Sequence, residues 1–176
     1  MTSDDVGHRL RIRVTAKNGV GSTSVQSSPS AVIAGSGGGT GPLPDGAVKL
    51  PSGKYSIPVT SVSLPTQLVI DKVKFSPNPI RSRTEPIVIR VHVVDARGYV
   101  VRDALVFIRS APLVTTTPQE LPSAQDGWVT FQIFAKPDFP LQNGHYVQFF
   151  ARVRKAGDTV LVGVGSRRLV QVRTAR

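Results

Sequence analysis

The side chains that could carry catalysis or bind a metal are few and widely spaced in this sequence. It contains three histidines, His8, His92 and His145, and no cysteine. No two histidines have the i, i+4 spacing of a helical zinc site, and the lack of cysteine excludes thiolate ligands, thiol nucleophiles and disulfides. The sequence therefore predicts no metal site and no bound cofactor.

Nucleophilic catalysis would need a serine that is activated by histidine and oriented by a carboxylate. The segment "VGVGS", which ends at Ser166, is the nearest approach to a G-x-S-x-G elbow, but it lies in a predicted strand. Asp95, Asp126 and Asp158 stand in the turn sequences "DARG", "QDG" and "AGD", where aspartate closes the turn. We therefore expect a protein without enzyme activity.

The elements that must position these residues are β-strands. In "HRLRIRVTA", Leu10, Ile12 and Val14 alternate with arginines, which is the period of a half-buried strand. "KNGVG" predicts a turn, and "STSVQSSPSAVI" predicts a second, weaker strand. Residues 1–34 are thus predicted to form a hairpin, which alone is marginally stable in water.

A change in composition separates this hairpin from the rest of the chain. Residues 35–46, "GSGGGTGPLPDG", have the glycine, serine and proline content of a flexible linker. They lack the Gly-Lys-Ser/Thr ending of a phosphate-binding loop. We therefore predict a second, larger domain over residues 47–176.

Residues 47–176 alternate apolar and polar side chains in strand-length segments that end at proline and glycine turns, and no segment has a sustained helical period. This pattern predicts a β-sandwich. The side chains expected to face inward are Val69, Val73 and Phe75, then Ile87, Ile89, Val91 and Val93, then Ala104, Val106 and Ile108, then Val129, Phe131 and Ile133, and finally Val147, Phe149, Ala151 and Val153.

Two parts of the chain resemble the immunoglobulin-like and fibronectin-type-III-like repeats of secreted bacterial surface proteins. "DVGHRLRIRVTAKNGVGSTSVQSSPSAVI" resembles the last two strands of such a repeat. "VHVVDARGYVVRDALV", "DGWVTFQ" and "FFARVRKAGD" resemble a bacterial immunoglobulin-like domain. The resemblance implies an all-β, immunoglobulin-like antiparallel β-sandwich, preceded by a truncated hairpin. Either the hairpin is the end of an interrupted domain, or another chain completes it by strand complementation through residues 9–16.

The chain is strongly basic, with 22 Lys and Arg residues against 11 Asp and Glu, for a net charge of +11. The basic residues alternate with apolar ones along the predicted strands, as expected of solvated sheet faces. Such a charge also favours binding to polyanions at low salt. The pattern matches no nucleic-acid-binding fold, so nucleic acid is not an expected partner. No apolar run is long enough to span a membrane, and no signal peptide is visible.

One sheet face is the candidate interface. In the immunoglobulin topology the third, sixth and seventh strands share a sheet, and here its outer surface would combine aromatic and arginine side chains, as interfaces do. The alternative is that these aromatics pack under the loop 111–127. Trp128, the only tryptophan, is either a packing residue or a stacking platform for sugar. The candidate interface residues are Phe107, Arg109, Trp128, Tyr146, Phe150, Arg152, Arg154, Arg167 and Arg168.

These observations predict a non-catalytic, extracellular structural or adhesive module of a repetitive bacterial surface protein. Its expected partners are neighbouring domains or subunits, or an anionic cell-wall polymer. The alternative is a binding module for acidic polysaccharide or another polyanion. Cell-surface location follows here from the resemblance alone.

Overall fold

The computed structural model describes residues 8–9, 11–30, 42–159 and 163–176. Its contacts divide the chain into two compact units, Met1–Pro42 and Leu43–Arg176. The second unit thus begins four residues before the predicted boundary at 47. A guanidinium N–H of Arg102 donates to the carbonyl oxygen of Gly46 at 2.8 Å, which ties this segment to the second unit. Residues 35–41 of the predicted linker lie outside the described residues.

The first unit contains a two-stranded antiparallel hairpin of β1 (Arg13–Asn18) and β2 (Gly21–Gln26). The side chain of Asn18 closes the turn by accepting the N–H groups of residues 20 and 21, each at 3.0 Å. Ile12, Val14 and Val25 are exposed large apolar side chains of this unit. Val14 and Val25 lie opposite each other on one face of the hairpin.

The second unit is a sandwich of two sheets. Its strands are β3 (Val48–Lys49), β4 (Tyr55–Pro58), β5 (Leu68–Ser76), β6 (Ile87–Asp95), β7 (Val100–Arg102), β8 (Leu105–Ala111), β9 (Leu121–Pro122), β10 (Trp128–Ile133), β11 (Tyr146–Arg154) and β12 (Ser166–Arg173). The first sheet has the order β10-β6-β7-β4-β3, with β5 also paired to β6, and the second has the order β12-β11-β8-β9. The all-β prediction is confirmed, although β4 and β7 pair in parallel within the mainly antiparallel sheets.

The sandwich interior is built from alternate side chains of both sheets, as the period of two predicted. Val91 in β6, Phe131 in β10 and Phe149 in β11 are each at most 1% exposed. The ring of Phe75 from β5 packs at 5.2 Å from that of Phe149, which joins the two sheets. The burial of these apolar side chains is the main contribution to the stability of the unit.

The prediction for β5 was partly wrong because a bulge shifts its phase. Leu68 and Ile70 are buried, whereas Val69 is 38% exposed. The register with β6 then skips one residue, Asp71, between Ile70 and Lys72. An extra residue of this kind reverses the face to which later side chains point. The odd-numbered residues after the bulge therefore point towards the core.

The three aspartates predicted to lie in turns each accept a backbone N–H through the carboxylate, over two or four residues for Asp95 and Asp126 and across a longer loop for Asp158. One carboxylate oxygen of Asp95 accepts the N–H groups of Arg97 at 2.9 Å and Tyr99 at 3.0 Å. Asp126 accepts the N–H two residues later, at 3.2 Å. Asp158 accepts an N–H six residues later, at 3.0 Å. These carboxylates are engaged in backbone hydrogen bonds, as their sequence contexts predicted.

Candidate functional site

The outward side chains of β8, β11 and β12 form what we call the basic–aromatic face. The strand register places Arg109, Phe150 and Leu169 in one row across the sheet. The adjacent row contains Phe107, Arg152 and Arg167. Tyr146 and Arg154 lie further along β11, with the same outward parity. The structure therefore brings together seven of the nine candidate interface residues.

The row through Phe150 is the more open part of this face. The guanidinium carbon of Arg109 lies 5.9 Å from the centroid of the Phe150 ring, a cation–π distance. Leu169 is 63% exposed, and Tyr146 is 55% exposed. Large apolar and aromatic side chains next to arginine are typical of protein interfaces rather than of ordinary surface. This row is therefore suited to contact with a protein partner.

The charge of the row through Arg152 is partly compensated by a residue that the sequence did not indicate. Glu120, from the loop before β9, accepts a hydrogen bond from Arg152 Nη2 at 2.7 Å and from Arg154 Nε at 3.0 Å. The hydrogen bonds from Arg154 lower the pKa of Glu120, burial opposes them, and Arg152 lowers the pKa further. The same contact raises the pKa of Arg154. One carboxylate thus holds two arginines.

Arg152 is further constrained by its neighbours in the sheet. Its guanidinium carbon lies 5.1 Å from the ring centroid of Phe107. Its Nε is buried and has no hydrogen-bond partner within the described part of the chain. Arg152 and Arg154 are therefore internal ion-pair partners, and the single charge of Glu120 compensates one of their two positive charges. From the loop 111–127, Glu120 contacts this face through Arg152 and Arg154, whereas packing of the aromatic side chains under the loop stays a prediction.

Arg168 does not belong to the basic–aromatic face, contrary to the sequence expectation. It lies opposite Ala151, which is an inward position of β11. Its Nη1 donates to the carbonyl oxygens of Ile70 at 2.9 Å and Asp71 at 2.8 Å, both in the other sheet. Because β12 and β5 are the edge strands of the two sheets, Arg168 joins them across the open side of the sandwich.

Trp128 also lies elsewhere, on the outer face of the first sheet. The guanidinium carbon of Arg90 is 4.6 Å from its ring centroid, and the ammonium of Lys74 is 5.4 Å from it. The ring of His92 is 4.8 Å away. Trp128 is therefore a partly exposed ring held between cationic side chains and histidine. No spacing in the sequence indicated this, because the three neighbours come from two other strands.

His92 forms a close pair with a carboxylate beneath this ring. Its Nδ1 lies 2.6 Å from Oδ1 of Asp71, the residue in the β5 bulge. The side chain of His92 is only 7% exposed. A histidine oriented by a carboxylate is one part of a nucleophilic triad, but a base must also reach a substrate. Burial of His92 favours a structural role for the pair.

Within the described residues, no cluster of three or more His, Asp or Glu side chains is arranged to hold a metal ion. The same residues include no helix with the length and apolar character needed to cross a membrane. Comparisons with protein-family models, with curated proteins and with solved structures find no match to this chain. The functional argument therefore depends on the surfaces described above.

Proposed function

We propose that this chain is a non-catalytic structural or adhesive module of a repetitive bacterial surface protein, and that it acts through the basic–aromatic face. The strand order supports an immunoglobulin-like relationship. β5, β6 and β10 adjoin in one sheet, which also contains β7, β4 and β3, and β9, β8, β11 and β12 adjoin in the other. An A-B-E sheet that faces a C′-C-F-G sheet would have these neighbours. Such sandwiches serve as rigid supports that present a face or loops to partners.

The observation that carries the proposal is the exposed row of Arg109, Phe150 and Leu169, with Tyr146 beside it. A monomeric sheet face in water normally presents polar side chains. Here two of the largest exposed apolar side chains of the second unit, Leu169 and Tyr146, lie on the same face. Exposed apolar side chains that cluster in this way mark a site of association.

The charge of this face indicates the chemistry of the partner. Glu120 forms ion pairs with Arg152 and Arg154, whereas Arg109 and Arg173 are exposed and have no ion pair within the described residues. Two copies of this basic face would repel each other, so we expect a protein partner whose surface is apolar with an acidic rim. In the proposed setting this partner is a neighbouring domain or a subunit of the cell-surface assembly.

Site-specific photo-cross-linking in the producing cells tests the proposal. A photoreactive benzoylphenylalanine at position 146 should give a defined protein adduct, whereas the same residue at Gln132, exposed on the other sheet, should not. Leu169→Glu and Arg109→Glu should each lower the adduct yield at least fivefold. Lys136→Glu, the same charge reversal outside the face, should leave it unchanged. Equal yields from positions 146 and 132, or no adduct at 146, would contradict the proposed docking face.

The non-catalytic part of the proposal has its own test. His92 with Asp71 is the histidine–carboxylate pair that could act as a base, so His92→Gln is the informative substitution. We expect the purified protein to show no turnover of ester, peptide or glycoside substrates. Turnover by the native chain that is lost in His92→Gln, with the fold retained, would show that the protein is an enzyme.

The second candidate function is binding of an acidic polysaccharide. Among the arginines predicted to supply charge for it, namely Arg109, Arg152, Arg154, Arg167 and Arg168, three (Arg152, Arg154 and Arg168) are engaged in internal contacts. A different observation favours this function, namely the uncompensated cations around Trp128.

A further inference from the structure

We propose that the outer face of strands β5, β6 and β10 is a binding site for a linear anionic polysaccharide. We call this site the Trp128 patch, and it consists of Trp128, Lys72, Lys74 and Arg90. It lies on the sheet opposite the basic–aromatic face and does not depend on the docking role proposed for that face.

Strand register brings the three cations of the Trp128 patch together. Lys72 and Trp128 lie on either side of His92, and in the next row Lys74 lies directly opposite Arg90. Like charges that face each other across a sheet are destabilising. Contact with the Trp128 ring offsets this cost only in part, since an exposed cation–π contact contributes about 0.5–1 kcal/mol. The arrangement is one that a bound anion would stabilise.

The charges of the Trp128 patch are not compensated by nearby carboxylates. Among the residues that the structure describes, no carboxylate lies within ion-pair distance of Lys72, Lys74 or Arg90. The nearest acidic residue in sequence, Asp71, is paired with His92. All three cations are exposed. This is the reverse of the basic–aromatic face, where Glu120 holds two arginines.

The geometry favours a polymer that is recognised by its charge rather than by stacking. Arg90 and the ring of His92 lie within 5 Å of the Trp128 centroid, so the indole is already in contact with protein groups. Proteins that bind single-stranded nucleic acid use free aromatic faces on which bases stack. Alternate residues of a strand lie about 6.6 Å apart, so Lys72 and Lys74 form a row of charge along β5, with Arg90 beside it on β6, and a linear polyanion could contact all three.

The rival explanation is that Lys72 and Lys74 protect an edge strand. Among the strands that the structure describes, β5 pairs only with β6, and lysines on an edge strand prevent pairing with other chains. That role predicts self-association when the lysines are removed. It does not predict a change in binding to an anionic polymer.

Trp128 provides the assay, because it is the only tryptophan of the chain and its ring contacts two cations of the patch, Lys74 and Arg90. Its fluorescence is followed while the full chain is titrated with heparin, a sulfated polysaccharide, or with polygalacturonate, a carboxylated one. A single-stranded oligothymidylate of equal charge is the third probe. Titrations are run at 50, 100 and 200 mM salt, and sedimentation velocity checks the association state of each variant.

We compare two triple variants that lose the same charge. The patch variant carries Lys72→Gln, Lys74→Gln and Arg90→Gln. The matched control carries Lys49→Gln, Arg81→Gln and Lys136→Gln, which are exposed cations outside both faces. A cation near an anionic surface contributes about fivefold to affinity, so the patch variant should bind at least one of the two polysaccharides about 100-fold more weakly. The control should remain within about fivefold of the native chain.

Several outcomes would overturn the proposal. The first is equal loss in both variants, which indicates a general effect of net charge. The second is no salt-sensitive binding of either polysaccharide by the native chain at 50 mM salt. The third is self-association of the patch variant with unchanged binding, which indicates edge protection. Tighter binding of the oligothymidylate than of both polysaccharides would refute the assignment of the polymer. Binding of one polysaccharide but not the other identifies whether sulfate or carboxylate is recognised.

Discussion

Replacing Glu120 by glutamine tests whether the arginines of the basic–aromatic face depend on one internal carboxylate. The substitution keeps the size and shape of the side chain and removes its charge. Its two partners, Arg152 and Arg154, would then lie on the sheet with reduced compensation. The side chain of Glu120 is 22% exposed and that of Arg152 is 17% exposed, so water replaces the lost contact only in part.

The expected cost follows from this intermediate burial. Exposed ion pairs contribute about 0–1 kcal/mol, and hydrogen bonds to charged groups contribute about 1.5–3 kcal/mol. For Glu120, which contacts two arginines, we expect Glu120→Gln to lower the free energy of unfolding by about 2 kcal/mol at pH 7. For a unit of this size the loss corresponds to a decrease of about 8 °C in Tm. Urea denaturation followed by Trp128 fluorescence measures it.

The pH dependence provides an independent check with a defined sign. Because the arginines lower the pKa of Glu120 in the folded state, its stabilising contribution is complete above its unfolded pKa of about 4.3. The contribution is lost as the pH falls through the lower, folded value. The difference between the native chain and Glu120→Gln should therefore be full at pH 7 and decrease steadily below about pH 4.

Glu85→Gln is the matched control, since Glu85 is exposed and has no ion pair within the described residues. We expect it to change the unfolding free energy by less than about 0.5 kcal/mol at either pH. If Glu120→Gln costs no more than Glu85→Gln at pH 7, the arginines of this face are not held by Glu120. In that case the arginines would be free to bind anions. The difference in charge compensation between the two faces, on which the assignment of the polysaccharide site to the Trp128 patch depends, would then be absent.

Three further predictions concern the framework. Gly127→Ala should destabilise the second unit by about 3 kcal/mol or more, because the added Cβ would lie 2.6 Å from a valine methyl and 2.8 Å from a backbone carbonyl oxygen. Gly144 also has a positive φ but has open space around it, so Gly144→Ala should cost only about 1–2 kcal/mol. Thermal denaturation of both variants measures the difference. Phe149→Ala should lower the free energy of unfolding by about 3–5 kcal/mol, and the adjacent Phe150→Ala by less than half as much, since only Phe149 is fully buried. Urea denaturation measures both values, and equal losses would contradict the alternation of buried and exposed residues along β11. Rapid amide exchange throughout residues 9–16 is expected if the hairpin stands alone, and protection there in the purified protein would indicate strand complementation between chains.

The sandwich core was predictable because period-two burial is a local property of the chain. In β6, β10 and β11 each inward residue is separated from the next by one outward residue, and the predicted sets are buried without exception. The same reasoning failed at Val69, since a bulge adds one residue without changing the composition of the strand. Nothing in "QLVIDKVKF" distinguishes Asp71 from an ordinary outward residue until its partner in β6 is known.

The candidate site was less predictable because its electrostatics depend on residues distant in sequence. Glu120 lies more than 30 residues from Arg152 and Arg154, in a loop whose path the sequence does not determine. Arginine is normally a surface residue, but the register of β12 with β11 directs the side chain of Arg168 to the open side of the sandwich. Parity along a strand indicates which face a side chain lies on, whereas its partner depends on tertiary packing.

The two sheets of the second unit therefore differ in how they compensate their basic residues. On the basic–aromatic face, arginines lie over aromatic rings and share Glu120, so exposed apolar surface at Leu169 dominates what a partner would meet. Around Trp128, Lys74 and Arg90 contact the same indole, and the nearby carboxylate of Asp71 is hydrogen-bonded to His92. A net charge of +11 would suggest uniform attraction of polyanions. Instead, the Trp128 patch presents three exposed cations without a carboxylate partner in the described residues, whereas the basic–aromatic face combines exposed apolar side chains with Arg109 and Arg173. A protein and an anionic polymer could therefore bind to opposite sheets at the same time.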